Sequence, residues 1–339
     1  MKLSLTFLLC LAVALPSIGQ VSEGTSNSIN LGAVLKKAYE EKESQPKTVV
    51  VEQPVAEAEK VEIVLASDVD LNIPKTDIVN EYGIAVIIGN RDYQNTKNVD
   101  YAINDAMAMK KYVQQTMGFR DGNIFYVENA SKTDFEILFG TKDDYRGQLY
   151  NAVRADMSDV FIFYSGHGAP DVNTNTGYFV PVECNPQYIN LTGYNSDVLF
   201  TNLSKIPAKS VTVAMDACFS GAEILENVSP VGIQSKGFNS VDNGVFISSS
   251  AGTQVSSWYT EKEHGMFTYF FLKAIQNRNA DADKDGQLTA NEIFRFVYEE
   301  VPYHARRFRN VDQTPTLQGS KRDQVVVSFE APIEENTDY

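Results

Sequence analysis

The chain is predicted to fold as an α/β domain with a mostly parallel central sheet and helices on both faces. Three observations carry that expectation. Ile84–Gly89, Asp159–Ser165 and Val211–Asp216 are short runs rich in β-branched and aromatic residues, apolar at consecutive positions, as strands buried on both faces are. Helix-length stretches separate the strands, and strand–helix alternation favours parallel crossover connections. Two of the runs end abruptly in small residues that flank one reactive side chain, His167 in one case and Cys218 in the other. The carboxyl ends of strands are where open α/β sheets place their ligands.

In order, the first strand is Ile84–Gly89 and the first helix runs near Asp100 to Met117. Asn123–Glu128 is the second strand, and Phe135 to Ala155 is mostly helical with a break at Gly140. The strand before His167 and the strand before Cys218 follow. Glu223 to Asn243 is a long, weakly patterned connection leading to a strand at Gly244–Ser250. A helix over His264 to Asn277 and a last helix over Ala290 to Arg309 complete the domain, which is expected to span residues 81–330.

The start reads as a secretory leader over residues 1–19. Lys2 is the basic end, Leu3 to Leu15 the apolar stretch, and Ser17-Ile-Gly19 the small-residue cleavage site, so the mature chain begins at Gln20. The apolar stretch is too short to span a membrane. The expected product is exported, to a periplasm or the cell exterior, with no stable membrane span. Residues 20–80 are acidic, proline-interrupted and poor in aromatics, as in Val50-Val-Glu-Gln-Pro-Val-Ala-Glu, and read as a linker or pro-segment. Residues 331–339 read as a tail. The formal net charge of −15 argues against nucleic acid or an anionic membrane as partner and suits basic peptides.

His167 and Cys218 together suggest nucleophilic catalysis. A thiol with a pKa of about 8.5 is mostly protonated at neutral pH, and the thiolate is the nucleophile. A neighbouring imidazole takes the proton and later gives one to the leaving amine. Small residues around both side chains let backbone N–H groups approach a substrate carbonyl, and the Gly168 and Cys218 amides are the candidate oxyanion donors.

Ser165-Gly-His167-Gly and Asp216-Ala-Cys218-Phe-Ser-Gly resemble the His and Cys motifs of the caspase-fold peptidases, the clan of caspases, metacaspases and bacterial caspase-like proteins. Their separation of about 50 residues is that of caspases. The similarity runs from about Tyr82 to Gly319 and includes Ile84-Ala-Val-Ile-Ile-Gly-Asn90 and Tyr101-Ala-Ile-Asn104-Asp105-Ala. Animal caspases carry Gln before Ala-Cys, so Asp216 and Ser220-Gly221 are closer to metacaspases and bacterial relatives. The resemblance implies a three-layer caspase-like sandwich and a cysteine endopeptidase of dyad His167–Cys218. It also implies an S1 pocket lined by Asp105 and Asp216, hence cleavage after Arg or Lys, because two carboxylates pair a guanidinium or ammonium. The alternative for Asp105 is an exposed residue near a helix start, and for Asp216 a turn residue. In the caspase fold the connection after the nucleophile is often cut, and Lys236 is the candidate self-cleavage position.

Cysteine usage opens a competing arrangement. The mature chain keeps Cys184 and Cys218, and an oxidising compartment permits a bridge between them that would silence the nucleophile. Cys184, in Val180-Pro-Val-Glu-Cys-Asn-Pro, otherwise reads as a small packed side chain. His264, in Thr260-Glu-Lys-Glu-His-Gly, reads as a solvated loop residue and a backup base, and His304 as a helix-face residue.

Asp281-Ala-Asp283-Lys-Asp285-Gly286-Gln287-Leu-Thr289-Ala-Asn-Glu292 resembles a calcium loop of the EF-hand type. Oxygens fall at positions one, three and five, Gly at six, a backbone carbonyl (Gln287) at seven and Glu at twelve. Thr289-Ala-Asn-Glu292 is also a capping box, which gives the segment a purely structural alternative. No cofactor is expected for catalysis. The rival to a peptidase is a catalytically silent caspase-fold binding protein that holds a partner in its cleft or through calcium; a third reading is a related hydrolase or transpeptidase acting on other bonds.

Overall fold

The computed structural model describes residues 67–171, 173–174, 176–219, 241–252, 254–278 and 280–329. The leader, residues 20–66 of the acidic segment, Ser220 and Gly221, Lys236 and the tail lie outside them.

Among the described residues, six strands form the central sheet. They are β1 (Ile84–Gly89), β2 (Ile124–Glu128), β3 (Asp159–Ser165), β7 (Ser210–Asp216), β8 (Gly244–Ser248) and β12 (Thr316–Gly319). Their spatial order is β12-β8-β7-β3-β1-β2, with β12 antiparallel at one edge and every other pairing parallel. β1 and β7 place every residue but Ser210 in the interior, which is why their sequences are continuous apolar runs.

Side chains alternate across the pleat and feed two cores. On one face, Ala85, Ile87, Phe161, Phe163 and Ile247 meet α1 (Ala102–Gln115), α6 (Met266–Gln276) and α7 (Ala290–Arg309). On the other, Ile84, Val86, Ile162, Tyr164 and Val213 meet α2 (Lys132–Phe139), α3 (Gln148–Ala152) and α5 (Ser196–Leu203). The result is the expected three-layer sandwich. The break expected at Gly140 is real: α2 ends at Phe139 and Gly140 takes φ of +85°. α7 matches its expected bounds, opened by the Thr289–Glu292 capping box.

Short antiparallel pieces went unforeseen. β4 (Gly168–Asp171), β5 (Thr176–Phe179) and β6 (Tyr194–Asn195) form a three-stranded sheet beyond β3, with α4 (Ile189–Thr192) beside it. β9 (Trp258–Tyr259) pairs β10 (His264–Gly265), and β11 (Gln287–Thr289) pairs β13 (Val325–Ser328).

The packed body begins ahead of the expected boundary at residue 81. Ser67 to Asn80, read as the end of the linker, is built into the body. Val69 is fully buried and its carbonyl accepts from Tyr112 Oη at 2.8 Å. Asp68 pairs with Lys262 and Lys273, Gln276 donates to the Asp68 and Leu71 carbonyls, and Thr76 N–H donates to the Gln115 carbonyl. Acidity here signals ion pairs with the neighbourhood of α6 rather than a solvated tether.

Candidate active site

Ser165 and Asp216 face each other at the ends of β3 and β7, and Gly166 N–H donates to the Asp216 carbonyl at 3.2 Å. Both chains then leave the sheet, so His167 and Cys218 emerge side by side. They line one cavity of about 20 Å³ together with Asp105, Asp216, Ser256 and Trp258. Gly168 is required by close approach: a Cβ there would lie 2.8 Å from the Cys218 carbonyl oxygen and from the Phe219 ring. Its backbone therefore lies against the Cys218 segment, next to the two amides expected to receive an oxyanion.

His167 is buried and held on three sides. Its Nε2 lies 2.8 Å from the Lys97 carbonyl oxygen. A carbonyl only accepts, so Nε2 carries the proton of the neutral ring and Nδ1 is the nitrogen able to take one. Burial pushes the imidazole down to about 4, and the Lys97 contact opposes that only in part. The ring is neutral at physiological pH. Two phenols grip its backbone: His167 N–H donates to Tyr93 Oη at 2.8 Å, and Tyr164 Oη donates to the His167 carbonyl at 2.7 Å. The Tyr93 ring also packs on the imidazole, 4.7 Å between centroids. Neither tyrosine was singled out in the sequence, where only Tyr164's place in the strand before His167 linked it to the site.

Asp105 and Asp216 both face the cavity, at 1% and 6% exposure, which replaces the surface and turn readings of these residues. Asp105 Oδ2 accepts from Ser165 Oγ at 2.8 Å. Asp216 Oδ1 accepts from Ser256 Oγ at 2.5 Å, and its Oδ2 accepts from Thr268 N at 3.0 Å and Thr268 Oγ1 at 2.8 Å. Burial pushes the Asp216 carboxyl up to about 6, with the charge of Asp105 acting the same way, against the hydrogen bonds from Ser256 and Thr268.

The solvated-loop reading of His264 is corrected. It is fully buried rather than solvated, between Asp105 and Asp70. His304 stays on its helix, its Nδ1 2.9 Å from the Glu300 carbonyl and its ring against Phe270. Cys184 and Cys218 are both buried and are not bridged to one another. Cys184 Sγ sits 3.1 Å from Thr192 Oγ1, in an apolar cluster of its own with Val180, Val182 and Ile189.

In the loop before α7, the carboxylates of Asp281, Asp283 and Asp285 offer oxygens within 4.8 Å of one another. Gly286 takes φ of +78°, and its N–H donates to Asp281 Oδ2 at 3.1 Å. Among the described residues, Asp281 Oδ1 is buried with no hydrogen-bond partner. Glu292 accepts from Ala282 N, Thr289 N and Thr289 Oγ1, so its carboxylate serves the helix cap beside the three clustered aspartates. None of these residues lines the catalytic cavity.

A model of the caspase domain, Peptidase_C14, matches residues 82–326. Among solved structures, the chain is similar to caspase-1 from Spodoptera frugiperda at 14% identity and a TM-score of 0.49, over 77% of this chain and 96% of that one. No curated protein matches it. Among the described residues, no helix is long and apolar enough to cross a membrane.

Proposed function

Because the chain belongs to the caspase-domain family of peptidases, we propose that it is an exported cysteine endopeptidase cleaving after Arg or Lys. The observation that carries this reading is the shared cavity: one thiol, one imidazole and two buried carboxylates converge on it. The Cys218 thiol gives its proton to Nδ1 of His167 as sulfur attacks the scissile carbonyl. The imidazolium so formed, still donating from Nε2 to the Lys97 carbonyl, then protonates the departing amine. Water hydrolyses the resulting thioester with His167 again taking the proton. The Gly168 and Cys218 amides are the donors offered to the oxyanion.

Selectivity follows from burial. An ion pair about 4 Å apart contributes on the order of 4 kcal/mol at an effective dielectric of 20, and each 1.4 kcal/mol is tenfold. A P1 cation therefore gains two to three orders of magnitude over a neutral side chain when Asp216 is ionised. The cavity of about 20 Å³ holds water and little more, so a P1 side chain enters only as the lining opens. That narrow pocket suits a zymogen, and Lys236 is the proposed self-cleavage position. It also keeps alive a second reading, a silent binding protein, which turnover alone excludes. Hydrolysis of peptides differing only at P1, compared between the chain and its Cys218→Ala form, tests the proposal.

The acidic loop is proposed to hold calcium structurally. Asp281, Asp283, Asp285 and Glu292 with the Gln287 carbonyl are the hard oxygen donors such an ion takes, and the orphaned Asp281 Oδ1 is a donor without a partner. Bound there, the ion would offset two of the cluster's negative charges and tie α7 to the loop.

A further inference from the structure

His264 has carboxylate oxygens on both ring nitrogens: Asp105 Oδ1 at 2.8 Å from Nδ1, and Asp70 Oδ2 at 3.1 Å from Nε2. A neutral imidazole has a single N–H and would turn a lone pair toward one of those anions, whereas an imidazolium donates to both. The ring has no exposure at all. Gly265 then passes between the two pocket carboxylates. Its N–H donates to Asp105, and a Cβ there would fall 2.1 Å from Asp216 Oδ2 and 3.1 Å from Asp105 Oδ2.

The charged groups around His264 are therefore Asp70 from the turn at Asp68–Asp70, Asp105 from α1 and Asp216 from the end of β7. Beside them lies the cluster of Asp68 with Lys262 and Lys273. Three carboxylates this close and this dry do not all stay ionised without a cation.

We propose that His264 is the resident counter-cation of the acidic pocket, held there by Asp70, and that the pair are positioning residues for recognition of a basic P1 side chain. One cation against three carboxylates leaves the pocket short of positive charge, and a substrate Arg or Lys supplies it. The inference rests on the peptidase reading for its consequence but not for its geometry. Asp70 precedes the segment that matches the family model, residues 82–326. The turn carrying it is thus a part this chain adds to the pocket from outside the matched region. The raised basicity of His264, pushed up to about 9 by the two carboxylates against its burial, agrees with the geometry.

The test uses the mature full chain and has two readouts. The chain has three histidines, so ring resonances followed by NMR against pH are few, and His264→Gln identifies the one to follow. In the parent chain the His264 ring is expected to remain charged beyond pH 8. Asp70→Asn, nearly identical in shape, should lower its titration by about one unit or more. With peptides, Asp70→Asn and His264→Gln should cut the preference for Arg over an uncharged P1 residue about tenfold or more, through KM, while kcat on the uncharged peptide stays within about twofold. An His264 that titrates near its ordinary 6.5, or that is indifferent to Asp70→Asn, overturns the proposal even if the glutamine variant fails to fold. Should the parent chain cleave nothing, the peptidase reading fails by itself, and the titration still decides whether Asp70 holds a buried imidazolium.

Discussion

Ser165 and Asp216 stand opposite one another in register on neighbouring parallel strands, and each is followed two residues later by a reactive side chain. That register brings His167 and Cys218 to one rim and points Ser165 and Asp216 into the same pocket. A slip of one residue in this pairing would turn one pair outward. The β3–β7 pairing is therefore both fold and site.

The pocket's charge should set an acid limit on cation selectivity. Asp216 is pushed up to about 6 while His167 is pushed down to about 4. As pH rises through about 6 the Asp216 carboxylate ionises, and kcat/KM for Arg and Lys peptides should rise with it. The limb reports the free enzyme. Asp216→Asn should remove this limb and lower the Arg preference about 100-fold. Profiles of kcat/KM from pH 4.5 to 8 decide the matter.

The two phenols on the His167 backbone should matter to turnover as well as to stability. Tyr93→Phe leaves the His167 N–H without its acceptor in a buried place, which costs about 1–3 kcal/mol. Urea unfolding should show that loss, and kcat should fall about tenfold with KM little changed, because neither tyrosine lines the cavity. Tyr164→Phe removes the donor to the His167 carbonyl and should behave the same way, more mildly, since Val180 N–H also donates there.

Stability should fall on the alkaline side for an identifiable reason. His264 is raised in the folded chain, so its contribution is full below its unfolded value of about 6.5 and is lost as pH rises through about 9. The melting temperature should therefore drop between pH 7 and 9.5, and His264→Gln should flatten that drop. Asp68 acts in the opposite sense. Burial raises it, but Lys262, Lys273 and Tyr269 outweigh burial and hold its carboxyl well below the usual range, so its contribution is lost only as pH falls below that of an ordinary aspartate.

Calcium should stabilise the chain without touching the dyad. At 100 times its dissociation constant a ligand specific to the native state adds about 2.7 kcal/mol. A calcium-dependent rise in melting temperature, abolished by Asp283→Asn and unaccompanied by a change in KM, is the expected outcome. No rise, with a stable parent chain, leaves Glu292 and Thr289 as a helix cap alone.

Much of this was legible in the residues because burial on both faces leaves a continuous apolar signature. β1, β3 and β7 read directly, and so did α7, whose capping box marks its start. The pocket aspartates were legible through the resemblance, not through burial: nothing local to Asp105 announces that it is interior. His264 was misread for the same reason. Its neighbours Glu261, Lys262 and Glu263 are those of a solvated loop, while the partners that bury it are Asp70 and Asp105, far away in sequence. The turn at Asp68–Asp70 was hidden likewise, since an acidic, proline-interrupted stretch looks the same whether it meets water or Lys262 and Lys273. β4, β5 and β6 have four residues or fewer each and no periodicity to show.

The most direct measurement is hydrolysis of matched fluorogenic peptides ending in Arg, Lys or Asp, by the chain from Gln20 and by its Cys218→Ala form. Reducing agent and calcium are each present and absent in turn. Expected is turnover of the Arg or Lys peptide that falls about 1,000-fold or more in the alanine form. Turnover confined to the Asp peptide would contradict the acidic pocket, and silence of the chain under every condition, before and after cleavage at Lys236, would contradict the peptidase itself.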